Sequence, residues 1–123
     1  MVDVDANFLI DVFKRNSATS RAVARWVADG ESLAISAVAW AEFLCGPAAP
    51  ENAAEARGLL NSIEPLTEED AAVAAELFNA TGRRSRSLAD CMIAAHAIRR
   101  DAVLATLNVR DFRVFEKFKL KLA

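Results

Sequence analysis

Four carboxylates of this 123-residue chain occupy positions that are unusual for solvated surface acids. They are Asp5, Glu42, Asp90 and Asp111. Carboxylates that converge repel one another unless a cation lies between them, and an all-oxygen donor set favours a hard ion such as Mg²⁺ or Mn²⁺ over zinc. The single histidine, His96, and two cysteines without ligand spacing agree with this preference. If these acids meet, the sequence predicts a Mg²⁺ or Mn²⁺ site.

Glu42 lies in the apolar segment from Leu33 to Cys45, where Ser36 is the only other residue that is neither apolar nor alanine. A helix facing solvent would show several polar residues on one side, so we expect this helix to be buried around Glu42. A buried carboxylate must be neutralised, paired or bound to a metal. The alternative is a glutamate that reaches a partner arginine.

Each of the other three acids has both a functional and a structural interpretation. Asp5 ends the first predicted strand, where a ligand crevice is expected in a parallel α/β sheet, but it could simply cap the next helix. Asp90 precedes the apolar run Cys91 to Ile98, but Ser87 and Asp90 also match a capping box. Asp111 follows the last buried strand on the same edge as Asp5, or it is an ordinary loop acid.

Strand-like and helix-like segments alternate along the chain, which predicts a mainly parallel sheet with helices on both faces. The predicted strands are Met1 to Asp5, Leu33 to Ser36, Ile63 to Leu66, Ala102 to Thr106 and an edge strand at Arg113 to Leu120. The predicted helices are Ala6 to Phe13, Ser17 to Ala28, Ala37 to Cys45, Glu51 to Asn61, a capped helix from Thr67 to Thr81, and Ser87 to Arg100. The fold class is therefore a three-layer α/β domain.

Composition limits the classes of protein to which the chain can belong. Hydrophobic residues make up 54% and charged residues 26%, which predicts one folded domain over residues 1–123 and excludes intrinsic disorder. The net charge of −2 provides no general basic field, so any nucleic-acid contact must be local. The longest apolar run is far short of a membrane span. We expect a cytoplasmic protein whose cysteines, Cys45 and Cys91, are reduced core residues.

Four segments in register resemble the PIN-domain family, and most closely its VapC-type toxin ribonucleases. They are Asp5-Ala6-Asn7-Phe8-Leu9-Ile10, Ala41-Glu42-Phe43-Leu44-Cys45-Gly46, Leu88-Ala89-Asp90-Cys91-Met92-Ile93-Ala94-Ala95 and Thr106-Leu107-Asn108-Val109-Arg110-Asp111-Phe112. The resemblance implies a Rossmann-like sheet, an acidic Mg²⁺ or Mn²⁺ site, endoribonuclease activity, a homodimer and a cognate VapB-like antitoxin in a hetero-oligomer. It implies that Asp5, Glu42, Asp90 and Asp111 are the acids of the metal site and that Asn7, Thr106 and Asn108 are polar groups around them.

The mechanism expected of such a site is hydrolysis of RNA by water whose pKa a bound cation lowers, which leaves 5′-phosphate and 3′-hydroxyl ends. Asp5 and Asp90 would bind the metal directly, Asp111 directly or through water, and Glu42 would act through water or orient the nucleophile. Arg83, Arg84 and Arg86 form a dense basic cluster just before Asp90. This cluster could contact RNA phosphates or be an ordinary solvated loop.

The chain departs from the family pattern at two positions. Ala6 stands where the family usually has Thr or Ser, which removes a hydroxyl near the site. Asp3 interrupts a strand that is normally apolar, so either it lies at an exposed strand start or the strand is very short. His96 is six residues past Asp90, off its helical face, and is expected to be a packing residue.

Two other functions compete with this interpretation. Asp3-Val4-Asp5 is similar to the DxD motif of haloacid-dehalogenase-like phosphatases, but Ala6-Asn7 does not supply the following Thr that those enzymes need. A non-catalytic RNA- or protein-binding module, in which the acids are only helix caps, is the other alternative.

Overall fold

The computed structural model describes residues 1–82 and 87–123. Its five strands are β1 (Val2–Val4), β2 (Leu33–Ser36), β3 (Ser62–Glu64), β4 (Val103–Ala105) and β5 (Lys121–Leu122). Its α-helices are α1 (Ala6–Val12), α2 (Ala18–Ala28), α3 (Ala37–Leu44), α4 (Ala49–Leu59), α5 (Glu68–Ala80), α6 (Ser87–Arg100) and α7 (Val109–Phe112), followed by a 3₁₀ helix (Arg113–Phe118). In the part of the chain described, no helix combines the length and apolarity needed to cross a bilayer.

The sheet has the strand order β3-β2-β1-β4-β5, and all four neighbouring pairs are parallel. The chain builds outward from β1 through β2 to β3, then returns to the other side of β1 for β4. Strand order therefore reverses between β1 and β4, and such a switch point opens a crevice at the carboxyl ends of the strands. The predicted three-layer Rossmann-like α/β fold is confirmed.

Local signals in the sequence set most helix boundaries. Ser17, Ser36 and Thr67 each accept a backbone N–H as the N-cap of α2, α3 and α5, and the predicted Thr67–Asp70 capping box is present. Gly30, which follows α2, has a φ of 78°, a conformation that favours glycine over other residues. The helices thus start and stop close to where the sequence predicts.

The predicted edge strand from Arg113 to Leu120 is wrong. The segment is a 3₁₀ helix over Arg113–Phe118, and the edge strand comes after it at Lys121–Leu122. Phe112 and Phe115 are both buried, with their ring centroids 6.1 Å apart. A spacing of three residues puts these rings on one side of a 3₁₀ turn, whereas a strand would turn them to opposite faces.

Two polar residues also differ from expectation. Cys45 is exposed rather than part of the core because it lies at the end of α3, whereas Cys91 is buried as predicted; neither forms a disulfide. Asp3 is not at an exposed strand start: it is the middle residue of a three-residue β1 and its accessible surface is 2%. The short strand was anticipated, but the burial of its carboxylate was not.

Candidate active site

The switch point of the sheet brings together two polar residues that are 101 positions apart. Asp5 directly follows β1 and Thr106 directly follows β4, and these strands are neighbours. The Thr106 hydroxyl donates a hydrogen bond to Asp5 Oδ2 and accepts one from the backbone N–H of Asn108 at 2.9 Å. Thr106 therefore holds Asp5 against the loop that follows β4.

Asp5 is both a helix cap and a site residue. Its Oδ1 accepts the backbone N–H of Phe8 at 2.9 Å as the N-cap of α1, and its accessible surface is only 4%. Burial raises the pKa of Asp5, and the hydrogen bonds from Thr106 and Phe8 only partly oppose this shift. Each oxygen accepts one hydrogen bond and retains further acceptor capacity, so the carboxylate can also bind a cation.

A pocket of about 240 Å³ opens beside Asp5. Its lining contains three of the four predicted acids and two of the three predicted polar neighbours: Asp5, Glu42, Asp90, Asn7 and Asn108. Ile10, Gly46, Pro47 and Ile93 also line it, together with Ala6. Thr106 reaches the pocket through Asp5 rather than lining it. The structure thus brings carboxylate and amide side chains from four parts of the chain to one cavity.

Glu42 lies in this pocket but is not buried as the sequence suggested. Its side chain is exposed, because α3 turns Ala41, Glu42 and Leu44 outward while Ala39 and Phe43 face the core. Partial burial and the neighbouring charge of Asp5 both raise the pKa of Glu42. The expected interaction between two acids is therefore present, although this helix has an exposed side.

Asp90 and Asp111 differ in their relation to the pocket. Asp90 is in the first turn of α6, is half-buried and lines the cavity. Asp111 is exposed on α7 and does not line it; the Asp111 backbone N–H donates to the carbonyl of Asn108 at 2.9 Å, so it lies one turn beyond a lining residue. The structure does not bring Asp111 into the cavity.

The sequence interpretation missed Gly46, which it treated only as a helix stop with Pro47. A Cβ at Gly46 would lie 3.1 Å from Ile10 Cδ1 and 3.2 Å from the Phe43 carbonyl oxygen. The wall of the pocket is therefore tight at this point, and glycine gives it the space. The family-like segment ending Leu44-Cys45-Gly46 held the only signal for this role.

The donor set of the pocket suits a hard divalent cation. Carboxylates and side-chain amides offer only oxygen ligands, and two of the carboxylates have pKa values raised in the metal-free protein, which a cation would reverse. Within residues 1–82 and 87–123, however, no three acidic, histidine or cysteine side chains are close enough to hold an ion as they stand. The residues fit such an ion by chemistry, and the acids would have to draw together around it.

The predicted RNA-binding cluster, Arg83, Arg84 and Arg86, lies outside the described residues, and so does the side chain of Ser87, the expected capping partner of Asp90.

Comparison with known proteins agrees with this fold. The family model of the PIN domain matches residues 3–117, so the chain belongs to the PIN domain family. No curated protein matches the sequence.

Solved structures share the fold. VapBC2 from Rickettsia felis, bound to a promoter DNA fragment, is similar with a TM-score of 0.77 and 20% identity over 100% of this chain and 98% of that one. VapBC-1 from nontypeable Haemophilus influenzae has a TM-score of 0.72 and 23% identity over 100% and 97%. Mycobacterium tuberculosis VapC20, a sarcin-ricin loop cleaving toxin, has a TM-score of 0.62 and 17% identity over 86% and 87%. Such identities indicate a common fold.

Proposed function

We propose that this protein is a metal-dependent endoribonuclease of the VapC type and the toxin of a toxin–antitoxin pair. The observation that carries the proposal is the pocket at the switch point of a PIN fold, in which Asp5 and Glu42 lie close enough to raise the pKa of Glu42 and Asp90 joins them. A binding module that used these acids only as caps would have no reason to place Glu42, which caps no helix, beside Asp5.

Asp5, Asp90 and Glu42 would hold Mg²⁺ or Mn²⁺, with Asp111 contributing through water from its position one turn after Asn108. When bound, the ion supplies a water of lowered pKa and neutralises charge at the scissile phosphate. Thr106 fixes Asp5 by donating a hydrogen bond to its Oδ2. The Asp5 carboxylate would then present its remaining lone pairs to the pocket. Glu42 would act through a water bound to the ion or orient the attacking water, from its place in the pocket beside Asp5.

The proposal extends to partners and location. The structures similar to this chain include toxin–antitoxin complexes, one of them from Klebsiella pneumoniae with 25% identity over 91% of this chain. We propose a cognate VapB-like antitoxin, a homodimer of this chain within the hetero-oligomer, a cytoplasmic location, and one PIN domain over residues 1–123. We also propose that the substrate is RNA and that the protein has no membrane partner.

The test is cleavage of purified total RNA with Mg²⁺, with EDTA, and by the Asp5→Asn variant. We expect cleavage only in the first reaction, and fragments that ligate to adaptors without prior treatment because they carry 5′-phosphate and 3′-hydroxyl ends. Cleavage that persists in EDTA, or fragments that require kinase or phosphatase treatment, would contradict a hydrolytic metal site.

Expression in cells tests the toxin assignment. The wild-type chain expressed alone should arrest growth, and Asp5→Ala should be tolerated at equal protein level. Equal toxicity of the two forms would separate growth arrest from the pocket.

A further inference from the structure

A second polar cluster joins β1, α6 and the end of β3. His96 Nδ1 of α6 is 2.9 Å from Asp3 Oδ2 of β1, and both side chains are almost completely buried. Arg100 Nε, one turn further along α6, is 3.4 Å from Asp3 Oδ1, and its Nη1 is 3.0 Å from Glu64 Oε1 at the end of β3. We call Asp3, His96, Arg100 and Glu64 the strand–helix cluster.

The strand–helix cluster and the pocket are carried by the same two elements. Strand β1 carries Asp3 and leads into Asp5, and helix α6 carries His96 as well as Asp90. Two residues of a strand span about 6.6 Å and six residues of a helix about 9 Å, so the Asp3–His96 contact lies close to the part of the pocket that Asp5 and Asp90 line. A shift of α6 along β1 would change that contact and the separation of Asp90 from Asp5 together.

Helix α6 packs mainly on α5 and also buries Ile93, but the residues that surround His96 are small. Ala94, Ala95 and Ala97 are all at 0% exposure, and they do not set that shift sharply. Burial of such residues is non-directional, and a row of alanines can slide with little loss of contact. The Asp3 carboxylate does not tolerate such a slide. A shift of one turn would separate it from His96 and Arg100, and a buried carboxylate without its ion-pair partners is strongly unfavourable.

We propose that the strand–helix cluster is a positioning device for the metal site: by fixing α6 against β1, Asp3, His96 and Arg100 set the separation of Asp90 from Asp5. The inference rests on the proposed function. None of the cluster side chains lines the pocket, so they act through the two acids rather than on substrate. His96 is thus more than the packing residue that its apolar surroundings suggested.

The chain offers a matched control for this cluster. Arg99, the neighbour of Arg100 on α6, pairs with Asp70, whose side chain is also buried, with Nε donating to Oδ1 at 2.5 Å. That pair joins α6 to α5 and does not involve the strand that carries Asp5. Asp3→Asn and Asp70→Asn are therefore the same chemical change, each at a buried carboxylate paired with α6.

The experiment measures Mn²⁺ binding by calorimetry without RNA, together with thermal unfolding, for the wild type and both variants. Asp3→Asn should raise the Mn²⁺ dissociation constant about tenfold, the range typical of groups that orient metal ligands. Asp70→Asn should lower the melting temperature at least as much and leave the dissociation constant within about twofold. The inference would be overturned if Mn²⁺ affinity fell in both variants in proportion to the loss of melting temperature. It would also be overturned if Asp3→Asn bound Mn²⁺ as tightly as the wild type.

A second pair of variants covers a failure of Asp3→Asn to fold. His96→Gln keeps a donor that can face Asp3, and His96→Leu has none, so Mn²⁺ should bind more tightly to the first. Equal binding to the two would count against positioning by His96.

The outcomes also separate this inference from the proposed function. Mn²⁺ binding that responds to Asp3→Asn in a protein that cleaves no RNA would contradict the nuclease alone, whereas a wild type that binds no Mn²⁺ would contradict both.

Discussion

Asp5 and Asp70 are buried carboxylates at helix N-termini whose pKa values move in opposite directions. Asp5 caps α1 and Asp70 closes the capping box of α5, and each accepts a backbone N–H. Burial raises the pKa of Asp5 above its ordinary value despite its hydrogen bonds. Burial acts in the same direction on Asp70, but hydrogen bonds from Arg99 and Thr67 and the charge of Arg99 bring its pKa below the ordinary value.

Among the described residues, the two sites differ in a cation supplied by the chain. Asp70 receives two hydrogen bonds from the Arg99 guanidinium, whereas Asp5 accepts hydrogen bonds from the uncharged Thr106 hydroxyl and Phe8 N–H, and its charge raises the pKa of Glu42. A buried acid whose charge is already compensated is a structural element. An acid beside another acid in an open pocket is suited to a cation from solution, so under the proposed function Asp5 serves the metal site and Asp70 serves stability.

The largest expected effect comes from Asp5→Asn. This change should reduce RNA cleavage by at least about 10²-fold, because loss of a direct metal ligand should exceed the 10–100-fold typical of groups that only orient a ligand. The free energy of unfolding should be unchanged or higher without metal, since a destabilised charge is removed. Steady-state cleavage and urea unfolding measure the two effects. Asp70→Asn is the control and should cleave at the wild-type rate; a comparable loss of cleavage in both would break the comparison.

Asp70→Asn should instead act on stability. The change removes the charge that compensates Arg99 and weakens the capping box, and we expect a loss of about 2 kcal/mol in the free energy of unfolding. Urea denaturation at neutral pH measures this loss. A variant as stable as the wild type would show that the Arg99 pair only offsets the cost of burying Asp70.

The contribution of Asp70 should also depend on pH. The pKa of Asp70 is lower in the folded than in the unfolded protein, so its stabilising effect is complete above the unfolded pKa of about 3.9 and disappears as the pH falls through the folded value. The stability difference between wild type and Asp70→Asn should therefore be constant from about pH 7 to pH 5 and shrink below about pH 4. A difference that grew on acidification would contradict the lowered pKa.

The contrast between these two acids also explains how far the sequence could predict the molecule. The Thr67–Asp70 box and the position of Asp5 after a short strand are local patterns, and both are confirmed. The parallel order that places Asp5 beside Thr106 follows from alternating strands and helices. These features depend on neighbours in the chain or on a general rule of α/β topology, so they were accessible without a structure.

Contacts that depend on the exact rotation or packing of an element were not accessible. The Arg99 partner of Asp70 is 29 residues away, and the His96 partner of Asp3 is 93 residues away, with no periodicity to connect them. The exposed setting of Glu42 depends on how the eight-residue α3 is turned, and its apolar composition predicted burial instead. Asp111 follows β4 as expected, but it lies within the short helix α7 and is exposed outside the pocket, which its position after the strand could not indicate.

The smallest expected effect is that of Glu42→Gln on the metal-free protein. Because the pKa of Glu42 is raised on folding, ionisation of the native side chain costs stability as the pH rises from its unfolded pKa of about 4.3 to the raised value. Glutamine escapes this cost, so with EDTA at neutral pH the variant should melt about 1 °C above the wild type. Saturating Mg²⁺ should reverse the order, since the cation stabilises the ionised wild-type site and finds one carboxylate fewer in the variant.

The control variant is Glu55→Gln, because Glu55 is an exposed acid of α4 outside the pocket. It should show no such reversal between EDTA and Mg²⁺. Melting curves with Mg²⁺ and with EDTA decide the matter: a Glu42→Gln variant that gains as much from Mg²⁺ as the wild type would exclude Glu42 from the metal site and leave Asp5 and Asp90 as its carboxylates in the pocket.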